Sequence, residues 1–202
     1  SSAINYNSLA NVNDGSCYHD TVMDIDGNEY QAVQIGDQLW MKQNLKVTQY
    51  NDGQEIPYVQ SSSEWGWDLT SGAYCYFDDD LSIQNTYGNL YNGYTADDGR
   101  GVCPEGFHVP THGEWQILAD YLGGVDVAGG KIKEVGLEHW NSPNVGATDE
   151  SGFTALPAGY RNGNSGVYYN IGGIAYYWSS SDSSSITTWS WNLESHKSEV
   201  DP

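Results

Sequence analysis

The amino-acid sequence predicts an α+β fold of small antiparallel sheets, few helices and long ordered loops. Turn-forming pairs such as Asp26-Gly27 and Gly36-Asp37 separate short β-type segments, and such pairs supply the positive φ angles that tight hairpins need. Further turn signals recur between residues 51 and 100, and one later segment carries a complete set of helix signals. A chain of 202 residues fits one large domain, or one domain with a short appendage.

The predicted strands form a meander near the start of the chain and a second group in its last third. A Ser-rich turn at Ser179–Ser185 separates the last two strands. In chain order, the predicted strands are Thr21–Ile25, Tyr30–Ile35, Gln38–Met41, Ala73–Phe77, Val167–Ile171, Ala175–Ser179 and Thr187–Leu193.

The helix signals lie after Thr111. Thr111 and Glu114 have the spacing of a capping box, in which each side chain satisfies a free backbone N–H of the first turn. Gly123 and Gly124 end this helix. Its apolar face consists of Trp115, Leu118, Ala119 and Leu122. A second, shorter helix is predicted over Lys131–Val135.

The first twenty residues differ in composition from the remainder. They are rich in Asn, Ser and other turn formers. We therefore expect residues 1–20 to form an Asn-rich arm or spacer and residues 21–202 to form the domain.

The chain is strongly acidic, with 27 Asp and Glu against 7 Lys and Arg and a formal net charge of −20. A phosphate-binding surface needs clustered Lys and Arg, so DNA, RNA and anionic membranes are not expected partners. No apolar stretch reaches the roughly 20 residues of a membrane-spanning helix. Low Lys content and abundant Tyr, Trp, Asn, Ser and Gly favour an extracellular or cell-surface protein, a setting in which disulfides persist. The pairing of Cys17, Cys75 and Cys103 stays open, because an odd number leaves at least one of them without an intrachain partner.

Two acidic segments are candidates for a calcium site, Asp78-Asp79-Asp80 and Asp97-Asp98. Calcium prefers clustered carboxylate oxygens. The alternative, which we favour, is that both segments are solvated acidic loops.

Histidine and cysteine spacing does not indicate an enzyme. The histidines at 108, 112, 139 and 196 lack the spacing of zinc ligands. Cys103 precedes Pro104 in a turn, and nothing in the sequence marks a base that would activate it. Carboxylate pairs for glycoside hydrolysis cannot be chosen among 27 acids.

Aromatic residues are unusually frequent, with 16 Tyr and 8 Trp against 3 Phe. Tyr and Trp present flat apolar faces with a polar edge, which suits sugar stacking and protein interfaces. We expect most of them to fill the core, including Trp115, Trp140 and Trp178. Trp65 and Trp67 are the best candidates for exposed residues that bind a glycan or a protein.

A series of motifs runs in order through residues 21–193. It includes Asp24-Ile25-Asp26-Gly27-Asn28, Ile35-Gly36, Trp40-Met41, Gly72-Ala73-Tyr74-Cys75-Tyr76, Val109-Pro110-Thr111, Ser151-Gly152-Phe153, Gly159-Tyr160-Arg161 and Tyr177-Trp178-Ser179-Ser180. The series resembles the Fibrobacter succinogenes major paralogous domain family, which is related to the formylglycine-generating-enzyme and C-type-lectin-like group. The resemblance implies an irregular α+β domain of that kind.

The resemblance does not imply oxidase chemistry. Formylglycine-forming enzymes need a pair of copper-binding cysteines late in the domain, and no cysteine follows Cys103. The family also has a closing C-terminal strand that the sequence after Leu193 does not match. We therefore expect an open sheet border, which a neighbouring copy or another segment completes by adding a strand.

These observations predict a non-enzymatic extracellular or cell-surface module for adhesion, glycan binding or protein binding. A structural subunit of an extracellular filament, assembled by strand exchange, is the alternative. A hydrolase or modifying enzyme is the third and least favoured class.

Overall fold

The computed structural model describes residues 21–184 and 187–202, without the side chains of residues 67, 68 and 181–189. The predicted arm, residues 1–20, lies outside the described residues, and so does Cys17.

Over the described residues, ten strands form four small antiparallel sheets. The strands are β1 (Thr21–Met23), β2 (Glu29–Ile35), β3 (Gln38–Met41), β4 (Tyr74–Cys75), β5 (Leu90–Tyr91), β6 (Tyr160–Arg161), β7 (Tyr168–Tyr169), β8 (Ile174–Ser184), β9 (Thr187–Glu194) and β10 (Val200–Asp201). The helices are α1 (Gln84–Tyr87), α2 (Gly93–Ala96), α3 (His112–Tyr121) and α4 (Val125–Ile132), with shorter helical turns at Glu64–Asp68, Phe77–Asp79 and Leu81–Ile83. The α+β class is confirmed. None of the helices described here is long and apolar enough to cross a membrane.

The first sheet confirms the predicted meander, with strand order β1-β2-β3. Gly36 adopts a φ of 60° in the turn that joins β2 and β3, and Ile35 pairs with Gln38 across that turn. Tyr30 and Ala32 alternate with exposed residues and are buried on one face of β2, and Ile35 at the end of the strand is buried as well.

Helix α3 begins as the sequence predicts. The Glu114 N–H donates to Thr111 Oγ1 at 3.2 Å, and the Thr111 N–H donates to Glu114 Oε2 at 2.8 Å, which completes the capping box. Gly123 and Gly124 follow the helix with φ values of 106° and 99°, in the left-handed region that ends a helix.

The second predicted helix, Lys131–Val135, is wrong in both bounds. Helix α4 starts at Val125 and ends at Ile132, and Lys133 is already extended. Gly129 and Gly130 lie inside the helix despite their low helix propensity. A Cβ atom at either position would collide with the backbone of residues 199 or 146, so close packing selects glycine here.

The strands predicted in the middle of the chain are shorter than expected. Ala73–Phe77 reduces to β4, which pairs with β5, a strand that the sequence did not predict. Likewise Val167–Ile171 reduces to β7, whose partner β6 was not predicted.

The last sheet has strand order β10-β9-β8. Strand β8 continues to Ser184, so the predicted turn at Ser179–Ser185 is wrong over most of its length. The backbone pairs of Asp182 with Thr188 and of Ser184 with Thr187 extend the hairpin, with register shifts after Trp178.

Strand β10 lies against β9, where the sequence predicts an open border. Val200 pairs with Leu193 and Asp201 with Asn192. The chain's own residues therefore cover the border at these two positions. Strand exchange between copies stays a prediction.

The largest buried cluster joins the first sheet, both long helices and the last sheet. It contains Ile35, Trp40, Trp115, Leu118, Ala119, Leu122, Ala128, Ile132, Trp140, Phe153, Ala155, Ala175, Trp191, Leu193 and Val200. Trp115 and Trp140 are buried as predicted, whereas Trp178 is only half-buried. Two smaller clusters lie in the loop-rich region, around Val47 and around Val59.

Candidate binding site

An apolar cavity of about 470 Å³ lies between β3, the start of α3 and the segment 102–110. Its aromatic and aliphatic walls include Leu39, Trp40, Phe107, Trp115, Tyr177 and Trp178. Ligand pockets in proteins have volumes of roughly 300–1,000 Å³ and mostly apolar walls. The size and lining of this cavity suit an apolar group.

Ring contacts and hydrogen bonds hold the aromatic wall in place. The ring centroids of Trp40 and Trp115 are 4.7 Å apart, and those of Trp115 and Tyr177 are 5.4 Å apart. The Trp115 Nε1–H donates to the carbonyl of Trp178 at 3.3 Å, and the Trp178 Nε1–H donates to the carbonyl of Tyr91 at 2.9 Å. Because both indole N–H groups have partners within the protein, these rings offer only their carbon faces to a ligand.

A histidine–carboxylate pair lies at the start of α3 and lines the cavity. His108 Nε2 is 2.9 Å from both carboxylate oxygens of Glu114. Glu114 also accepts hydrogen bonds from the N–H and the hydroxyl of Thr111. Burial acts to raise the pKa of Glu114, but the hydrogen bonds from Thr111 and His108 outweigh it and lower the pKa. The carboxylate therefore stabilises the helix start.

Other polar side chains along the cavity are also bonded to the protein itself. Gln38 donates to the carbonyl of Glu114 at 3.0 Å and accepts from the Trp40 indole at 3.3 Å. Asn44 donates to the carbonyl of Tyr87 at 2.9 Å. Gln38 and Asn44 therefore already use these groups within the protein.

A smaller cavity of about 240 Å³ adjoins the first. Both cavities share the wall formed by Ala96, Val102, Cys103, Phe107, His108 and Val109. Asp97 and Asp98 line the smaller one. The smaller cavity therefore combines apolar walls with two carboxylates.

Sequence comparison identifies the family. The family model for the Fibrobacter succinogenes major domain matches residues 33–200, well over half of the chain. The chain belongs to the Fibrobacter succinogenes major domain family. No curated protein and no solved structure matches the chain. The matched range contains every residue of the two cavities; a relation of this domain to the C-type-lectin-like group stays a prediction.

Within this Fibrobacter succinogenes major domain, the acidic segments predicted to bind calcium make contacts with the protein. The Arg100 guanidinium donates to both Asp98 oxygens, at 2.8 and 2.6 Å, and these bonds lower the pKa of Asp98 to about 2. Asp79 accepts from the Tyr168 hydroxyl at 2.9 Å. The Asp80 carboxylate accepts from the Ser82 N–H at 2.8 Å, and hydrogen bonds from Ser82 lower its pKa.

Neither acidic segment joins a three-residue group of possible metal ligands in the described part of the chain. This covers Asp78, Asp79 and Asp80 as well as Asp97 and Asp98. Calcium binding by these residues stays a prediction without geometric support. The structure brings a different set together, Glu134, Glu138 and His139.

The expected exposure of Trp65 is wrong. Its side chain is only 6% exposed, and the Arg161 guanidinium lies 4.7 Å from its ring centroid. Trp65 therefore covers a buried cation. The side chain of Trp67 is outside the described residues, so ligand binding by Trp67 stays a prediction.

Sequence reasoning did not identify the residues that form the cavity. The Val109-Pro110-Thr111 motif marked the helix start, and Phe107 and His108 precede it directly. Their position next to a helix cap was a usable signal. No sequence signal marked the approach of Gln38 and Trp178 to this helix, because that approach depends on tertiary packing.

Proposed function

We propose that this Fibrobacter succinogenes major domain is a non-enzymatic extracellular or cell-surface module that binds proteins through its aromatic cavity. One observation carries the proposal: the indole N–H groups of Trp115 and Trp178 and the side chains of Gln38 and Asn44 are already hydrogen-bonded to the protein. A sugar needs free hydrogen-bonding groups as well as aromatic faces. An apolar side chain of a partner needs only the faces.

The protonation state of the cysteines supports a non-enzymatic role. Burial raises the pKa of Cys103, which lines both cavities, to about 11. Burial also raises the pKa of Cys75 to about 11. The thiolate is the nucleophilic form of cysteine, and both thiols are therefore protonated at neutral pH.

The charge of the chain indicates the chemistry of the partner. The formal net charge is −20, and Asp97 lies at the smaller cavity beside Asp98, whose own charge is paired with Arg100. Complementary charge speeds association and selects among partners. The partner segment therefore carries an aromatic or branched aliphatic residue flanked by Lys or Arg.

A random peptide library displayed on phage tests this proposal. Selection on the immobilised domain is expected to enrich peptides with one apolar anchor and basic neighbours. Replacing the anchor by Ala should weaken binding about tenfold or more, as for an interface hot spot. A selection without enrichment, or peptides without an apolar anchor, would contradict the proposal.

Phe107→Ala is the variant that assigns binding to the cavity. Phe107 lines both cavities but belongs to none of the buried clusters, so the domain should remain folded. The matched control is Tyr94→Ala, because Tyr94 is 56% exposed and does not line a cavity. Selected peptides should lose affinity for Phe107→Ala and keep it for Tyr94→Ala.

Glycan binding is the second candidate, and a surface cluster of tyrosines favours it. Tyr160 stacks on Tyr169 with centroids 5.5 Å apart and meets the edge of Tyr176 at 5.1 Å. Tyr169 and Tyr176 are 42% and 44% exposed. Exposed aromatic faces of this kind suit sugar stacking. Binding on a glycan array that is lost in Tyr169→Ala but kept in Tyr94→Ala would favour this candidate. An array without any bound glycan would favour protein binding instead.

A further inference from the structure

We propose that Glu134, Glu138 and His139 form a site for a divalent transition-metal ion of the zinc class. Each residue offers one ligand atom, and these atoms all lie within 4.8 Å of one another. The site follows α4 and is separate from the aromatic cavity, whose walls contain none of these residues.

Two of the three side chains are already held together. His139 Nδ1 lies 2.9 Å from both carboxylate oxygens of Glu134, and both side chains are mostly shielded, with 23% and 17% exposed. The Tyr87 ring meets the imidazole edge-to-face at a centroid distance of 5.7 Å. The two side chains are therefore already adjacent, and a bound ion would replace the proton between Nδ1 and the carboxylate, which would be released.

The segment that carries the three ligands is held at both ends by hydrogen bonds to the same carbonyl group, that of Ala155. The Glu134 N–H donates to the Ala155 carbonyl at 3.2 Å, and the Trp140 Nε1–H donates to the same oxygen at 2.9 Å. Trp140 is only 1% exposed. The core thus fixes the two ends of the segment that carries all three ligands.

Asn144 supports the same segment from inside. Its amide donates to the carbonyl groups of Glu134 and Gly136, at 2.9 and 2.8 Å. The side chain is 6% exposed, and its Oδ1 is buried without a hydrogen-bond partner in the described part of the chain. A buried acceptor without a partner costs stability, so this residue is kept in a segment whose shape its amide fixes.

The ligand chemistry selects the ion. One imidazole nitrogen and two carboxylate oxygens match the preferences of Zn²⁺, which takes three protein ligands and a water in open sites. Calcium requires six to eight oxygen ligands. Tetrahedral zinc would place its ligand atoms about 3.4 Å apart. Glu138 can close the remaining gap because it is exposed and makes no hydrogen bond within the described residues.

Isothermal titration of the chelator-treated full chain with Zn²⁺ tests the site. The natural sequence should bind zinc, and Glu138→Gln and His139→Gln should each weaken this binding at least about tenfold, the scale seen when a metal site loses supporting groups. Glu138→Gln changes an exposed side chain, so its folding, checked by circular dichroism, should match the natural sequence. Calcium should not compete at equal concentration.

His196→Gln is the matched control. His196 also forms a histidine–carboxylate pair, with Glu194 at 2.9 Å, but this pair has no third metal-ligand residue in the described part of the chain. The control should bind zinc as the natural sequence does. No zinc binding by the natural sequence, equal binding by the two test variants, or equal competition by calcium would overturn the proposal.

Discussion

Lys133, directly after α4 (the helical region), and Arg161, in β6 beside the cluster around Val59 (the loop-rich region), are both buried cations that donate to main-chain carbonyl groups. Lys133 has no exposed surface and Arg161 is 7% exposed. Lys133 Nζ donates to the carbonyls of Val145, Glu194 and Lys197, at 2.9, 3.0 and 2.7 Å. Arg161 donates to those of Gly166, Val59 and Gln60, at 2.9, 2.6 and 2.5 Å. Each cation thus joins segments that are distant in the sequence.

The two cations differ in what surrounds them. The Arg161 guanidinium lies 4.7 Å from the ring centroid of Trp65 and 4.6 Å from that of Tyr168, and an arginine keeps its charge at every accessible pH. Lys133 has one ring nearby, Trp140 at 5.3 Å, and burial lowers its pKa to about 8. Arg161 therefore stabilises the loop-rich region at every accessible pH, whereas Lys133 in the helical region can lose its proton.

Arg161→Met should have the largest effect on stability. It leaves three carbonyl groups, two of them in the buried residues Val59 and Gly166, without this donor and removes the cation between two aromatic rings. Losses of this kind in buried networks cost roughly 3–5 kcal/mol in the free energy of unfolding. Chemical denaturation measures the difference.

Arg161→Lys is the control for charge alone. A lysine keeps the positive charge but lacks the planar fork that reaches several acceptors and stacks on rings. We expect an intermediate loss of stability. If Arg161→Lys were as stable as the natural sequence, the geometry of the guanidinium would be irrelevant and the comparison would fail.

Lys133→Met should cost somewhat less, roughly 2–4 kcal/mol, because the same number of carbonyls loses its donor but the lysine lies over the ring of Trp140, at 5.3 Å, and not between two rings. Lys131→Met is the matched control in the same segment. Lys131 pairs with Glu150 at 2.7 Å near the surface, and such pairs contribute at most about 1 kcal/mol. Equal losses in the two variants would contradict the distinction between buried and exposed lysines.

Alkaline pH should distinguish the stabilising contribution of Lys133 from that of Arg161. The pKa of Lys133 is lowered from 10.5 to about 8 in the folded protein, so above pH 8 the unfolded chain holds more protons and this group makes stability rise with pH. We expect the contribution of Lys133 to rise by on the order of 1 kcal/mol between about pH 8 and about pH 9, measured as the difference in unfolding free energy from Lys133→Met, because the ionising cysteines and tyrosines affect both proteins alike. Lys133→Met should lack this rise and Arg161→Met should keep it.

The sequence predicted those elements whose signals are local. The capping box of Thr111 and Glu114 and the glycine turn at Gly36 depend on neighbouring residues, so the start of α3 and the first meander were predicted well. Strands β4 to β7 have two residues each. Their existence depends on partners elsewhere in the chain, which local propensity does not contain.

The candidate sites depend on contacts over long sequence separations. Gln38 reaches the carbonyl of Glu114 across 76 positions, and Trp115 reaches Trp178 across 63. Residue spacing along the chain carries no sign of either approach. Trp65 was expected at the surface because no residue near it in the sequence indicated that Arg161 would pack against its ring.

Tyr168→Phe should have the smallest effect and separates the ring of Tyr168 from its hydroxyl. The variant keeps the aromatic face over Arg161 and removes the hydroxyl, which donates to Asp79 at 2.9 Å and also interacts with the Cys75 thiol. Asp79 has the Tyr58 hydroxyl at 3.4 Å as a further donor, so we expect a loss of about 1 kcal/mol in the free energy of unfolding. Tyr168→Leu, which removes the ring as well, should lose more. If Tyr168→Phe were as destabilising as Arg161→Met, the loop-rich region would depend on the carboxylate of Asp79 rather than on the guanidinium between two rings.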